Sequence, residues 1–184
     1  MAGSAAGKDT VQNILRSTHN IPVCVSCTTR PMREHETEGI EYFFISEQKF
    51  KDKLVANQFI ESRIYKTKKG TWFYGLPVSS VDISINQITI VDEQGYYNLV
   101  KEFGQDDVLG IYLFAPETEK IDRALSRETR TDKEFYAEFY RRMGEDLTAF
   151  NEVEEDPKVF KVENSDLEGC ISSIESLLKS KGVI

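Results

Sequence analysis

Short apolar runs alternate with helix-length amphipathic stretches along this whole chain, and that alternation restricts the fold more than any other feature. "VQNILRS" at 11–17 reads as helix, and "IPVCVSC" at 21–27 as a short apolar strand. "EYFFI" at 41–45 and "QFIESRIY" at 58–65 read as strands flanking a helix over 47–56. After "WFYG" a helix is expected from Pro77, followed by the apolar run "QITIV" at 87–91, a helix from Gln94 to Phe103 and the strand "VLGIYLF" at 108–114. Two capping boxes mark later helix starts, Thr131 with Glu134 and Ser165 with Glu168. The last helix carries Leu167, Ile171, Ile174 and Leu178 on one face, which fits packing on a sheet. The pattern predicts an α/β fold, a mainly parallel sheet with flanking helices, with the β-rich stretch between about 30 and 75 inserted into it.

With 184 residues, 40% of them hydrophobic and 29% charged, the chain suits one well-packed domain. No apolar run approaches the eighteen or so residues of a membrane helix, and "MAGSAAGKDT" has neither the basic start nor the apolar core of a signal peptide. Three cysteines do not make a disulfide framework, so a cytoplasmic protein is expected. A formal net charge of −8 disfavours a broad nucleic-acid or membrane surface while leaving room for a local basic pocket. The expected partner is therefore a small molecule, with the chain itself a monomer or homodimer.

"AGSAAGKDT" at 2–10 stands directly before the first helix. A phosphate-binding loop needs small residues so that backbone N–H groups can turn toward the anion, a lysine to reach the outer phosphates, and a helix N-terminus aimed at them. Ser4, Ala5, Ala6, Gly7 and Lys8 meet that description. Ala2 stands where the first glycine of G-x-x-x-x-G-K-[ST] belongs, and Asp9 where the metal-binding hydroxyl belongs, with Thr10 one place later. Because the chain starts at Met1, the strand that leads into such a loop is expected to be missing. Either that strand is encoded upstream, or the sheet lacks a central member and the loop at 2–8 is poorly held.

The stretch "SCTTRPMREHETEGIEYFF" at 26–44 places two arginines three residues apart in an acidic chain. Two guanidinium forks and a phenol suit a dianionic phosphate, which they can hold by several charge-assisted hydrogen bonds. The stretch matches S-x-T-T-R-x-x-R-x-x-E-x-x-G-x-x-Y-x-F at Ser26, Thr28, Thr29, Arg30, Arg33, Glu36, Gly39, Tyr42 and Phe44, and so resembles the monophosphate site of guanylate kinases. The similarity continues through "NQFIES" at 57–62, "YG" at 74–75, "VDEQG" at 91–95 and "ENSD" at 163–166, and so covers nearly the whole chain.

That resemblance implies a P-loop nucleoside-monophosphate-kinase fold in three parts: a core over about 1–29, 77–122 and 145–184, a GMP-binding subdomain over about 30–76, and a helical lid over about 123–144. It implies transfer from ATP to GMP or dGMP with Mg²⁺. Arg30, Arg33, Tyr42 and Tyr74 would clamp the acceptor phosphate, and Gly75 would lie beside it. Glu61 would accept from the two donors on the guanine edge, Ser26 would donate to its O6, and Asp92 would add a further acid. Such a site rejects a base with the wrong donor pattern by on the order of 10⁴-fold, because its own polar groups would be left unpaired. Ser4 to Thr10 and Asn164 would bind ATP, with Lys8 on the γ-phosphate and Asp9 as the metal ligand. Arg127 and Arg142 would reach the transferring group from the lid, with Arg123, Arg130 and Arg141 as neighbours.

The chain departs from the family pattern where Leu76 replaces a small hydroxyl after the Tyr-Gly pair and where Ile90 replaces an acid two places before Asp92. The basic "KTKKG" at 66–70 lengthens the segment between Glu61 and Tyr74. These departures leave two further readings, a relaxed nucleoside or deoxynucleoside monophosphate kinase and a non-catalytic module that holds phosphorylated peptides in the old clamp. Cys24 and Cys27 form a lone C-x-x-C with no histidine at zinc spacing and read as buried thiols. His19 and His35 belong to no nucleophile, base and acid arrangement. Trp72 and the tyrosines near it read as core or pocket walls.

Overall fold

The computed structural model describes residues 1–34, 36–67, 70–127, 133–146 and 148–184, with Thr67, Arg127 and Glu134 described by backbone alone. They form two compact units, one made of Met1–Asn20, Ile90–Tyr96 and Leu109–Ile184, the other of Ile21–Thr89 and Tyr97–Val108.

The first unit is parallel, as strands separated by helices require. Strand β5 (Gly110–Phe114) pairs in parallel with β6 (Val159–Glu163). On the other side of β5, Ala2 bridges Leu113, with Met1 N donating to the Ile111 carbonyl at 2.7 Å and Leu113 N–H donating to the Met1 carbonyl at 2.9 Å. Met1 and Ala2 thus pair with β5 at the sheet position expected to be empty, and the loop that follows starts from the sheet. Gly110 has no side chain because Tyr96, itself 2% exposed, covers it: a Cβ there would lie 2.7 Å from the ring. Around this short sheet lie α1 (Lys8–His19), α4 (Glu117–Arg127), α5 (Lys133–Asp146), α6 (Asn151–Glu155) and α7 (Leu167–Ser180). Helix α1 buries Val11 and Leu15, four apart on one face, and its His19 meets Glu175 of α7 at 2.8 Å. Tyr112 of β5, buried, donates to Glu154 of α6 at 2.9 Å.

The second unit is built on a four-stranded sheet in the order β2 (Phe43–Phe44), β1 (Cys27–Thr28), β4 (Gly70–Pro77), β3 (Phe59–Thr67). β1 and β2 run parallel, while β4 is antiparallel to both its neighbours. Helix α2 (Glu47–Val55), capped by Ser46, buries Phe50 in a stack with Phe59 at 4.5 Å. Helix α3 (Glu93–Phe103) has its first turn in the first unit and the rest in the second.

Several expectations are corrected. The helix from Pro77 is only a 3₁₀ turn over Val78–Ser80. There Ser80 donates to the Val25 carbonyl, and the Asp82 carboxylate accepts from both the N–H and the hydroxyl of Ser84. Such side chains offer the backbone local partners that compete with a helix. "IPVCVSC" and "QITIV" meet at a single parallel bridge, Val23 with Ile88, so neither becomes a long strand. The last helix is capped by Asp166, one residue after Ser165, with its carboxylate accepting from Glu168 and Gly169 N–H. Its buried face is accordingly Cys170, Ile174 and Leu178, with Leu167 38% exposed. The Thr131–Glu134 box begins outside the described residues.

No helix among the described residues is long and apolar enough to cross a membrane. Replacing Asp166 with alanine removes both cap bonds and is expected to cost about 1 kcal/mol, read as a lower urea midpoint at unchanged m.

Candidate functional site

The first set of site residues surrounds the loop between Ala2 and α1, in the first unit. Ala5 (φ 58) and Gly7 (φ 92) both adopt left-handed backbone, the alternation that turns successive N–H groups to one side. Ala6 is buried to 1%, so only a small side chain fits there. Gly7 is obligatory on two counts, its φ and the closeness of Asn164, whose Nδ2 would lie 2.3 Å from an added Cβ. Asn164 Nδ2 donates to the Ala6 carbonyl at 2.8 Å, and Arg123 Nη2 donates to the Asn164 carbonyl at 2.6 Å. Two buried atoms in this brace, Arg123 Nη1 and Asn164 Oδ1, have no hydrogen-bond partner among the described residues. An unpaired guanidinium nitrogen beside a glycine loop fits an incoming anion, because an unmet buried donor is costly until something accepts from it.

Lys8 Nζ lies 3.1 Å from Asp9 Oδ2, with both side chains accessible. Thr10 is exposed. On α5, Arg141 is held by Glu138 and Glu145, and Arg142 Nε donates to Glu138 at 2.8 Å, leaving Arg142 57% exposed. These are the i,i+3 and i,i+4 pairs that the spacing permits. Arg127 closes α4 by its backbone, and Arg130 lies outside the described residues. Asp92, also in the first unit, accepts from Gly95 N–H at 2.8 Å and so caps the start of α3.

The second set lies in the second unit. Thr28 Oγ1 donates to the Phe73 carbonyl, Thr29 Oγ1 accepts from Phe73 N–H, and Thr28 Oγ1 accepts from Arg30 N–H, so the two threonines stitch the end of β1 to β4. This sets Arg30 against Glu36 in a two-pronged pair at 2.8 and 2.7 Å, with side-chain exposures of only 10% and 5%. Arg30 Nε donates to the Tyr74 hydroxyl at 3.2 Å, and Nη1 donates to the Pro31 carbonyl at 2.8 Å. Its guanidinium lies 5.5 Å from the centre of the Tyr42 ring, and Tyr42 meets Tyr74 edge-on at 5.7 Å. Hydrogen bonding from Arg30 holds the Glu36 carboxyl at about 2, against an ordinary 4.5, even though burial opposes it. The same contact raises the Arg30 pKa.

Glu36, Glu38 and Glu41 also accept from backbone amides: Glu36 from Arg33 N–H, Glu41 from Thr37 N–H and Glu38 from Phe44 N–H. Arg33 is exposed and makes no ion pair among the described residues. Ser26 is half-buried beside Phe43, whose N–H its carbonyl accepts. Glu61 follows an irregularity in the pairing of β3 with β4, opposite Leu76, and lines a 210 Å³ cavity with Arg63, Asn57 and Asn98. Leu76 is wholly buried and brings no polar atom to the site. Gly75 admits the close approach of β3 and Phe59, since a Cβ would lie 2.9 Å from the Phe59 ring. Cys24 and Cys27 are buried thiols, with Cys24 pushed up to about 11 by burial.

Structure and sequence converge on one class: an α/β protein in which one unit carries a small-residue loop before α1 and the other, a mixed β unit, brings Arg30, Tyr42 and Tyr74 together. The sequence model described as guanylate kinase matches residues 1–181. The guanylate kinase of Clostridium perfringens (strain SM101 / Type A) is 30% identical over 183 residues, covering 95% of this chain and 78% of that protein. The guanylate kinase of Thermotoga maritima is 28% identical over 185 residues, covering 97% and 83%. The crystal structure of guanylate kinase from Anaplasma phagocytophilum aligns with a TM-score of 0.67 at 20% identity, over 98% of this chain and 82% of that one. The chain belongs to the guanylate kinase family.

Replacing Glu36 with glutamine leaves Arg30 buried beside a neutral partner and is expected to cost about 3 kcal/mol at neutral pH, measured by urea unfolding. Because the Glu36 pKa is depressed on folding, its stabilisation is present above about 4.5 and lost as pH falls toward about 2. The wild-type acid limb should therefore be steeper than that of the variant.

Proposed function

We propose that this chain transfers the γ-phosphoryl group of ATP to GMP, giving ADP and GDP, in the three-part arrangement of core, GMP-binding subdomain and lid that the family resemblance implies. The observation that carries this reading is the clamp. Arg30 has four of its five N–H donors taken by Glu36, Tyr74 and Pro31, so its fork is fixed before substrate arrives, with one Nη2 hydrogen remaining. The exposed Arg33 supplies the mobile cation, and the hydroxyls of Tyr42 and Tyr74 supply neutral donors. A monophosphate dianion satisfies that set. Glu61 would accept from guanine N1–H and the 2-amino group, Ser26 would donate to O6, and Asp92 would add a second acid. Gly75 lets the clamp strand approach closely.

The loop from Ser4 to Thr10, with its N–H groups turned to one side and Arg123 Nη1 unpaired beside it, fits the ATP phosphates, and Asn164 holds the loop from below. Little covalent chemistry falls to the protein in such a transfer: it must align the acceptor oxygen with the phosphorus and offset spreading negative charge. Lys8 leaves Asp9 to take up the γ-phosphate, while Arg127 and Arg142 approach from the lid once Arg142 is released from Glu138. Asp9, whose carboxylate is 68% exposed beside the loop, would hold Mg²⁺, which would supply positive charge to offset that of the phosphates.

Arg33→Ala is expected to raise KM for GMP about 10- to 100-fold and leave KM for ATP unchanged, in steady-state assays. Lys8→Ala should lower kcat by on the order of 10²-fold or more. An Arg33→Ala enzyme with wild-type KM for GMP contradicts the assigned clamp.

A further inference from the structure

Asp146 is the last residue of α5, 142 positions away from the loop it touches. Its carboxylate accepts the Ser4 N–H at 2.6 Å, a short, charge-assisted bond. Gly3 is glycine for the same reason, since a Cβ there would lie 3.1 Å from Asp146 Oδ2. Nothing in α5 itself favours an acid at this position, because the C-terminal end of a helix is its negative pole. The carboxylate is instead accounted for by the loop. Asn164 pins the loop at the Ala6 carbonyl, Asp146 pins it at the Ser4 amide, left-handed Ala5 lies between the two points and left-handed Gly7 directly follows them. The helix that ends on Asp146 also carries Arg141 and Arg142.

We infer that Asp146 is a positioning residue for the phosphate loop: it fixes the Ser4 end of the loop in the anion-receiving shape and ties the arginine-bearing helix to it. The functional half of this inference rests on the kinase reading above. Holding Ser4 keeps the strained backbone at Ala5 from relaxing, so that the amides after it need no rearrangement when phosphate arrives. The neutral isostere asparagine keeps an oxygen that can accept from Ser4 N–H, while alanine keeps none.

The test compares the full chain with its Asp146→Ala and Asp146→Asn variants by amide exchange of Ser4 in the ligand-free protein and by steady-state kinetics. Alanine is expected to speed Ser4 exchange at least tenfold and to raise KM for ATP about tenfold, with KM for GMP unchanged. Asparagine is expected to restore both readouts to within about threefold of wild type. Wild-type exchange and KM in the alanine variant would overturn the inference. So would both KM values rising together with a fall in Tm, or asparagine behaving as alanine does. A wild-type chain that turns over no nucleotide would instead refute the kinase reading, and Ser4 exchange would still decide whether Asp146 holds the loop.

Discussion

The buried pair between Arg30 and Glu36 is the contact on which the arginine and tyrosine cluster of the second unit depends. A guanidinium at 10% side-chain exposure is tolerable only if its charge is met, and Glu36 meets it with both oxygens. Glu36 has lone pairs left for the Arg33 amide, so one carboxylate also shapes the turn that presents the second arginine. The threonines before Arg30 fix its backbone to β4, and Tyr74 on β4 receives its Nε. Arg30 is fixed because its partners Glu36 and Tyr74 belong to the same unit and Glu36 is itself bonded to the Arg33 amide, while the Arg33 side chain stays exposed. This explains the acids of the stretch: beside the two arginines they serve as caps and counter-charge, and Arg33 is left available.

The loop unit follows the same rule with backbone in place of guanidinium. Amides can bind an anion only when they are turned toward it and held there, and this loop is held by side chains that come from the end of β6 and the end of α5. Pairing of Met1 and Ala2 with β5 anchors its start. Arg123 Nη1 has no partner among the described residues, an unfinished set of bonds that a polyanion would complete.

The stretch at 26–44 was legible because its pattern of residue types stands at fixed spacings within nineteen positions of sequence, even though Thr28, Thr29 and Arg30 find their partners on β4. Glycines 7, 39 and 75 stood in the sequence only as motif positions, and the structure gives their reasons: a positive φ at Gly7 and Gly39 and the close approach of Phe59 at Gly75. What escaped sequence reading was non-local or a matter of degree. "QITIV" has the residues of a strand, but only Ile88 finds a partner, and periodicity does not say how many neighbours a strand will find. Pro77 begins a stretch whose serines and aspartate satisfy the backbone too well for a helix to extend. Ser165 and Asp166 are both good caps, and only the backbone decides between them. Asp146 had no sequence signal at all, since nothing local in "RRMGEDL" indicates a loop more than a hundred residues earlier.

Guanine selectivity in phosphoryl transfer is measured by supplying Mg-ATP with each of GMP, dGMP, AMP, CMP, UMP and dTMP and resolving the product nucleotides by chromatography. Turnover confined to GMP and dGMP, with the others slower by on the order of 10⁴-fold, is the predicted result. Comparable turnover on AMP or the pyrimidines would contradict the base-reading roles of Glu61 and Ser26, and no turnover on any acceptor would contradict the account as a whole.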